Sequence, residues 1–292
     1  MDWLERLDRA LKGAVSEAKE VGRNSVIAFS GGLDSSLLAV LLPDLPLYSV
    51  AVEGSEDGFW VVKAAEMIGR DVNLVRAEVS EDIVVSVMNI IESMNPLDVS
   101  LALPLYILGE RVASDGYEYV ITGQGADELF GGYWWYNDVV GKEGYLKLYD
   151  KLWEDLSLLY DDTLEREDKV TMTHSVEMRV PYLDRDVVRV AMRISPHLKI
   201  KNKNDSMRKW VHRRVASIIG LPDYIAYRDK DPAQSGCGIH EMIEEIAEDY
   251  FEGKKVEEVE LDDKGSLYRY LDEDYGTPAA LAYIEEVAKS LD

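Results

Sequence analysis

At 292 residues, 47% of them hydrophobic, and with a formal net charge of -24, the chain can bury a large core as one domain or two interlocked ones, and it is too acidic to attract nucleic acid at long range. A single cysteine, Cys237, excludes an internal disulfide, a CxxC pair and a cysteine-based zinc site. The opening residues MDWLERLDRALKGAVSEAKE interleave charges with apolar residues, unlike a signal peptide, and no apolar run is long enough to span a bilayer, so a cytoplasmic protein without a membrane segment is expected.

In chain order, Trp3, Leu4, Leu7, Leu11 and Val15 fall on one face of a first helix. NSVIAFS then has the length of a buried strand, followed by a glycine pair and LDSSLLAVLL, a helix ended by Pro43. LPLYSVAVEG repeats the strand signal, SEDGFWVVKAAEMIGRD reads as a helix entered through acids and left at Gly69, and VNLVRAEV is a third strand. DVSLALPLYILGERVASDG reads as a helix leading into a fourth strand, YEYVITG. Such alternation predicts an α/β fold with a parallel sheet covered by helices, whose ligands bind at the carboxyl edge. Beyond about Gly141 strand signals nearly vanish and helical patterns take over. The expected division is an α/β nucleotide-binding core over 1–140 and a mainly helical part over 141–292 packed directly on it.

Two turns at that predicted edge carry polar chemistry. In SGGLDSS, Gly31 and Gly32 bare the backbone, Ser30, Ser35 and Ser36 supply hydroxyls, and the next helix begins at once. That combination suits a phosphate, since helix N-termini and exposed amides favour anions. It is neither a P-loop, having no GKS or GKT, nor a GxGxxG fingerprint. In TGQGADE, Gly123 and Gly125 flank Gln124, and Asp127 and Glu128 close the turn. Glu128 also suits a plain helix-capping acid or an arginine partner. Aromatic residues Tyr133 to Tyr136 suit core packing better than a pocket, and His174, His197, His212 and His240 lack metal-ligand spacing.

SGGLDSS resembles the pyrophosphate-binding loop of the N-type ATP pyrophosphatases. The motifs that follow, YSVAVEGSED, VITGQGADELFGGY, HSVEMRVPYLD, SMRKW and LPDYIAYRDK, resemble in order the synthetase domain of asparagine synthetases and their β-lactam synthetase relatives. The resemblance implies a PP-loop ATP pyrophosphatase core, like that of the adenine nucleotide α-hydrolases, with a C-terminal helical half. It also implies an AMP-forming ligase that uses ATP and Mg2+ to adenylate a carboxylate and passes it to ammonia or another amine. On that basis Ser30, Gly31, Gly32, Asp34, Ser35 and Ser36 hold pyrophosphate, Phe29, Val50 and Gly123 contact adenine through their backbones, and Asp34 and Asp127 bind the metal. Lys230 neutralises charge at the reacting centre, and Arg208 is a weaker match. Glu177, Arg179 and Asp184 are expected in ion pairs that tie the helical half to the sheet.

Three features depart from the family pattern. Gln124 stands where asparagine synthetases carry a glutamate, and a carboxamide takes no proton at neutral pH; His174, Glu53 and Tyr133 are the candidate substitutes. The chain opens almost directly at the synthetase-like part, so ammonia or a separate glutaminase subunit is the expected nitrogen source. DVSLALPLY lacks the arginine the family places near its substrate, so the carboxylate is left open. Two alternatives compete. One is a tRNA-modifying ATP pyrophosphatase using the basic stretch from Arg185 to Arg214, against which stand the overall charge and the absence of paired cysteines; the other is an ATP-binding protein that has lost turnover.

Overall fold

The computed structural model describes residues 3–21, 24–52, 54–93 and 95–228. The first half alternates as expected: α1 (Trp3–Val21), β1 (Ser25–Ala28), α2 (Leu33–Leu41), β2 (Leu47–Ala51), α3 (Glu56–Met67), β3 (Val72–Arg76), α4 (Glu81–Ile91), α5 (Pro96–Ser114) and β4 (Tyr119–Ile121). Then come α6 (Ala126–Phe130), α7 (Trp135–Lys142), α8 (Tyr145–Leu159), a π-helical turn (Tyr160–Leu164), α9 (Glu165–Met172), β5 (Glu177–Arg179), α10 (Arg185–Ala191), α11 (Trp210–Ile219) and α12 (Asp223–Ala226). Helix α4 was not among the predicted elements. Its Ile-Val-Val run is β-branched and suits a strand, but Ser80 Oγ accepts from Ile83 N and starts it as a helix.

All strand pairs are parallel, in the order β3-β2-β1-β4-β5. The chain builds outward from β1 to β3, then returns to lay β4 on the other side of β1, with Ile27 opposite Ile121. That reversal is the switch point of an open α/β sheet, where the turns leaving two neighbouring strands diverge and expose a crevice. The turns in question are those after β1 and β4. The fifth strand belongs to the segment beyond residue 141, where strand signals are weak: three residues suffice to pair Glu177, Met178 and Arg179 with β4.

The period of two along each strand explains why both faces are covered. Ile27, Leu47 and Ile121 join one core with Leu7 and Leu11 of α1, Leu37 of α2, Val61 of α3 and Val211 of α11. Their neighbours Val26, Tyr48 and Val120 join a second core with Val84 of α4, Leu103 of α5 and Val170 of α9. Each fully buried leucine or isoleucine contributes about 1.5–3 kcal/mol by leaving water. The predicted apolar face of α1 is the buried one, with Leu7 and Leu11 inaccessible to solvent and Val15 at 3%.

One buried residue carries a charge problem. Lys199 is inaccessible to solvent, its Nζ lies 3.9 Å from Met192 Sδ, and burial pulls its amine down to about 7. Between pH 7 and the ordinary lysine range the unfolded chain binds a proton that the folded chain does not, so stability should rise with pH there. Thermal unfolding across that range should show the rise in the wild type, and Lys199→Met should raise Tm at pH 7 and flatten the slope. A wild-type Tm that does not rise from pH 7 to 9.5 would contradict it.

Candidate active site

The turn after β1 is folded on its own hydroxyls. Ser30 N donates to Ser35 Oγ at 3.1 Å, the two seryl oxygens are 3.0 Å apart, and Gly32 N donates to Ser30 Oγ at 3.3 Å. Gly31 adopts a left-handed φ of 69°, and its carbonyl accepts from Trp60 Nε1 at 3.0 Å, so a side chain there would meet the indole. Ser36, inaccessible at the first turn of α2, has an Oγ without a hydrogen-bond partner. A buried hydroxyl left over beside a helix N-terminus and a bare glycine turn is a donor set that fits phosphate oxygens.

The turn after β4 comes to meet it. A Cβ on Gly123 would stand 3.1 Å from Asp34 Cβ, a tight contact that the bare backbone avoids. Asp34 and Asp127 then converge on one cation, the ammonium of Lys209. Its Nζ lies 2.7 Å from Asp34 Oδ2 and 2.8 Å from Asp127 Oδ1, with the lysine side chain 4% exposed. A Cβ on Gly132 would overlap Asp127 Oδ1 at 1.6 Å and Lys209 Cε at 2.2 Å, which explains the glycine pair before the aromatic run. His212 Nε2 sits 3.1 Å from Asp34 Oδ1, and its ring stacks on Phe130 at 4.4 Å. The Tyr182 hydroxyl donates to the Asp34 carbonyl at 3.1 Å. Burial opposes the charge on Asp34, but Lys209 and His212 outweigh it and hold the carboxyl far below the usual range. Burial likewise lowers His212, which keeps it neutral at physiological pH.

The position of Lys209 is set by its own loop. Arg208 and Lys209 are consecutive non-glycine residues at φ of 49° and 51°, a left-handed pair that costs energy unless its surroundings enforce it. Asp205 enforces it from one side, accepting at Oδ2 from Lys201 N and Trp210 Nε1, and at Oδ1 from Met207 N and Arg208 N. Arg213 enforces it from the other, donating to the carbonyls of Met207, Arg208, Ala226 and Arg228.

The structure thus brings Ser30, Gly31, Gly32, Asp34, Ser35, Ser36, Gly123, Gln124 and Asp127 to one sheet edge. Phe29 and Val50 end up with their side chains in opposite cores. Arg208 is buried next to Lys209. Lys230, Glu53, Cys237 and His240 lie outside the described residues. Sequence reasoning missed Lys209, His212 and Tyr182; only the motif matches SMRKW and VPYLD marked their neighbourhoods.

Several expectations are corrected. Glu128 stands in the first turn of α6, as an acid at a helix start, but among the described residues it pairs with no arginine: it is 3% exposed, the Tyr133 hydroxyl donates to its Oε1 at 2.5 Å, and burial together with Asp127 pushes it up to about 7. Arg179 pairs with Glu177 on the same strand at 2.9 Å and lies over the Tyr119 ring, whereas Asp184 accepts from Asp186 N and Val187 N as the cap of α10. The basic stretch is split: Lys199, Arg208, Lys209 and Arg213 are buried, whereas Arg185, Arg189, Arg193, Lys201, Lys203 and Arg214 are exposed. His174 packs edge-on against Tyr106 between α5 and α9. Gln124 is held differently from any predicted arrangement: its Nε2 donates to Glu167 Oε1 on α9 at 2.5 Å.

Among the described residues no cluster of three or more His, Cys, Asp or Glu side chains could hold a metal by itself. Two carboxylates of hard oxygen, already gripping a cation, fit Mg2+ that shares its remaining positions with phosphate and water. No described helix is long and apolar enough to cross a membrane.

A five-stranded parallel sheet with these two turns at its switch point is a PP-loop ATP-pyrophosphatase-like core. The asparagine synthase family model matches residues 5–154 and 141–288, and the chain belongs to that family. It is 36% identical over 293 residues to a putative glutamine-hydrolyzing asparagine synthetase 1 of Methanocaldococcus jannaschii, covering 87% of this chain and 53% of that protein. It is 28% identical over 250 residues to asparagine synthetase 1 of Arabidopsis thaliana, covering 79% and 42%, and 28% identical over 236 residues to the nodule enzyme of Pisum sativum, covering 73% and 39%. The chain spans about half or less of the length of these curated relatives.

Gly132→Ala forces a methyl into Asp127 and Lys209. Overpacking of this kind costs about 1–3 kcal/mol, so denaturant unfolding should show a loss of that size, with weaker Mg-ATP binding by calorimetry. Wild-type stability and binding in the variant would contradict the close approach.

Proposed function

We propose that the chain is an AMP-forming, Mg-ATP-dependent ligase that adenylates a carboxylate and transfers the acyl group to ammonia or another amine. The observation that carries this reading is the convergence of Asp34 and Asp127, from two separate strand ends, on a single cation point beside a phosphate-type turn. Family membership supports the same chemistry.

In this reading the seryl hydroxyls and the first amides of α2 hold the β- and γ-phosphates as the leaving group, exposing the α-phosphorus to the incoming carboxylate. Asp34 and Asp127 would hold Mg2+, which when bound supplies charge neutralisation to the departing pyrophosphate. Lys209, bound to the same two carboxylates, supplies a preorganised positive charge beside the metal position, and Lys230 a second one by resemblance. Phe29, Val50 and Gly123 frame adenine by their backbones. Neutral His212 and Tyr182 keep Asp34 oriented. The similar proteins are named asparagine synthetases, which makes L-aspartate the first acid to test. Ammonium is the nitrogen donor to test first. A role on tRNA is not favoured, because Lys199, Arg208, Lys209 and Arg213 of the basic stretch are buried and the net charge of -24 repels nucleic acid.

With Mg-ATP, L-aspartate or pooled carboxylic acids, and ammonium or amines, the wild type should release AMP and pyrophosphate in equal amounts. Asp127→Asn and Lys230→Ala should each lose about a hundredfold or more, in the range seen when one preorganised electrostatic group is removed. ADP as the product, or near wild-type release by both variants, would discard the assignment.

A further inference from the structure

Outside the carboxylate pair, the most unusual group near the two turns is Glu167. It lies on α9 and is 4% exposed; its Oε1 accepts from Gln124 Nε2 at 2.5 Å, and its Oε2 is buried without a hydrogen-bond partner. Gln124 follows Gly123, the residue whose bare backbone touches Asp34, so this carboxyl stands one side chain away from the cation point. The α9 side of the contact is held in place. The Glu167 carbonyl accepts from Thr171 Oγ1 at 3.1 Å, and neighbouring Arg166 is anchored to Asp98 of α5 at 3.0 Å. One N–H of the Gln124 amide is committed to Glu167, which leaves Gln124 its second N–H and its carbonyl oxygen, a hydrogen-bond acceptor, to offer a ligand.

A buried carboxyl with one oxygen unsatisfied costs stability, so its retention needs a use. Amide formation has such a use. The attacking nitrogen must shed a proton as its bond to carbon forms, and no carboxamide can take it. We propose that Glu167 is the proton acceptor for the amine, with the Gln124 carbonyl oxygen orienting the nitrogen beside it. This rests on the ligase reading above. In the step, the C–N bond forms and the bond from the acyl carbon to the adenylate oxygen breaks. AMP leaves with that electron pair, and the proton passes from nitrogen to the free oxygen of Glu167 and then to water.

The surroundings suit the task. Burial pushes the Glu167 carboxyl up to about 8, against the pull of Arg166 and the Gln124 bond and with the push of Glu128 on α6. Of the other charged groups on elements packed against α9, Glu92 of α4 pairs with Lys169, Glu177 pairs with Arg179 on β5 and Arg111 of α5 pairs with Asp115, while Glu81 and Asp82 of α4 and Glu110 of α5 are exposed. Asp161 of the π-helical turn is exposed. The carboxylate form therefore gains population as pH rises toward 8, and amide formation per unprotonated ammonia should climb to a plateau above that value.

The test uses the full chain with Mg-ATP, L-aspartate and either ammonium or hydroxylamine, a weakly basic nucleophile that needs little help in losing its proton. Glu167→Gln should slow ammonia capture by about a hundredfold, the usual scale for general base catalysis, and abolish the inflection near pH 8. Hydroxamate formation should suffer far less. The exchange variant Gln124→Glu with Glu167→Gln, which keeps one carboxylate and one amide in the same contact, should recover much of the ammonia rate. An unchanged rate and pH profile in E167Q, equal losses with both nucleophiles, or no recovery in the exchange variant would overturn the role of Glu167 while leaving the ligase reading intact. A wild type that makes no AMP or pyrophosphate under any mixture would overturn both.

Discussion

Two aspartates facing each other at a sheet edge repel, and the fold is closed there by one buried ammonium. Lys209 bridges Asp34 and Asp127 with both contacts under 3 Å, and it comes from the segment farthest along the described chain. Like charges brought together at a partly buried edge are stabilised when a counter-charge is fixed between them, so the α/β sheet and the helical segments that follow it are joined electrostatically at the same point where the two turns meet. Removing the lysine would leave two uncompensated carboxylates, which is a larger penalty than the loss of an exposed ion pair.

Everything that places this ammonium is itself costly and therefore braced. The left-handed conformation of Arg208 and Lys209 is stabilised by four donors to Asp205 and by the guanidinium of Arg213 on four carbonyls. On the opposite wall Gly132 and Gly123 give way where a side chain would collide. The site is thus preorganised by backbone constraints distributed over several segments of the chain, the arrangement expected where positioning and electrostatics dominate.

Behind the turns the acids are graded by their surroundings. Asp34 is held ionised by the Lys209 ammonium and its contact with His212, whereas Glu128 and Glu167 are pushed toward neutrality by burial. Carboxyl groups only a few residues or one contact apart are set to different protonation states, the pattern by which one fold accommodates metal binding and proton transfer together.

The alternation of short apolar runs with amphipathic segments was enough to foresee the four strands of the first half, the parallel sheet and the meeting of SGGLDSS with TGQGADE, because those features follow from periodicity and from the rule that parallel crossovers share one edge. The three-residue β5 and the β-branched helix α4 were not legible, since strand pairing and a single serine cap decided them against weak or contrary local preference. The glycines and acids of the two turns announced themselves by spacing. Lys209 and Glu167 did not: a lysine among ten basic residues and a glutamate in a charged helix look like solvated surface until packing removes the water. Local composition specified the elements and the bare turns, whereas the charge of each buried group, and the partner it acquired, arose only from contacts between residues far apart in the chain, where desolvation makes a single bond decisive.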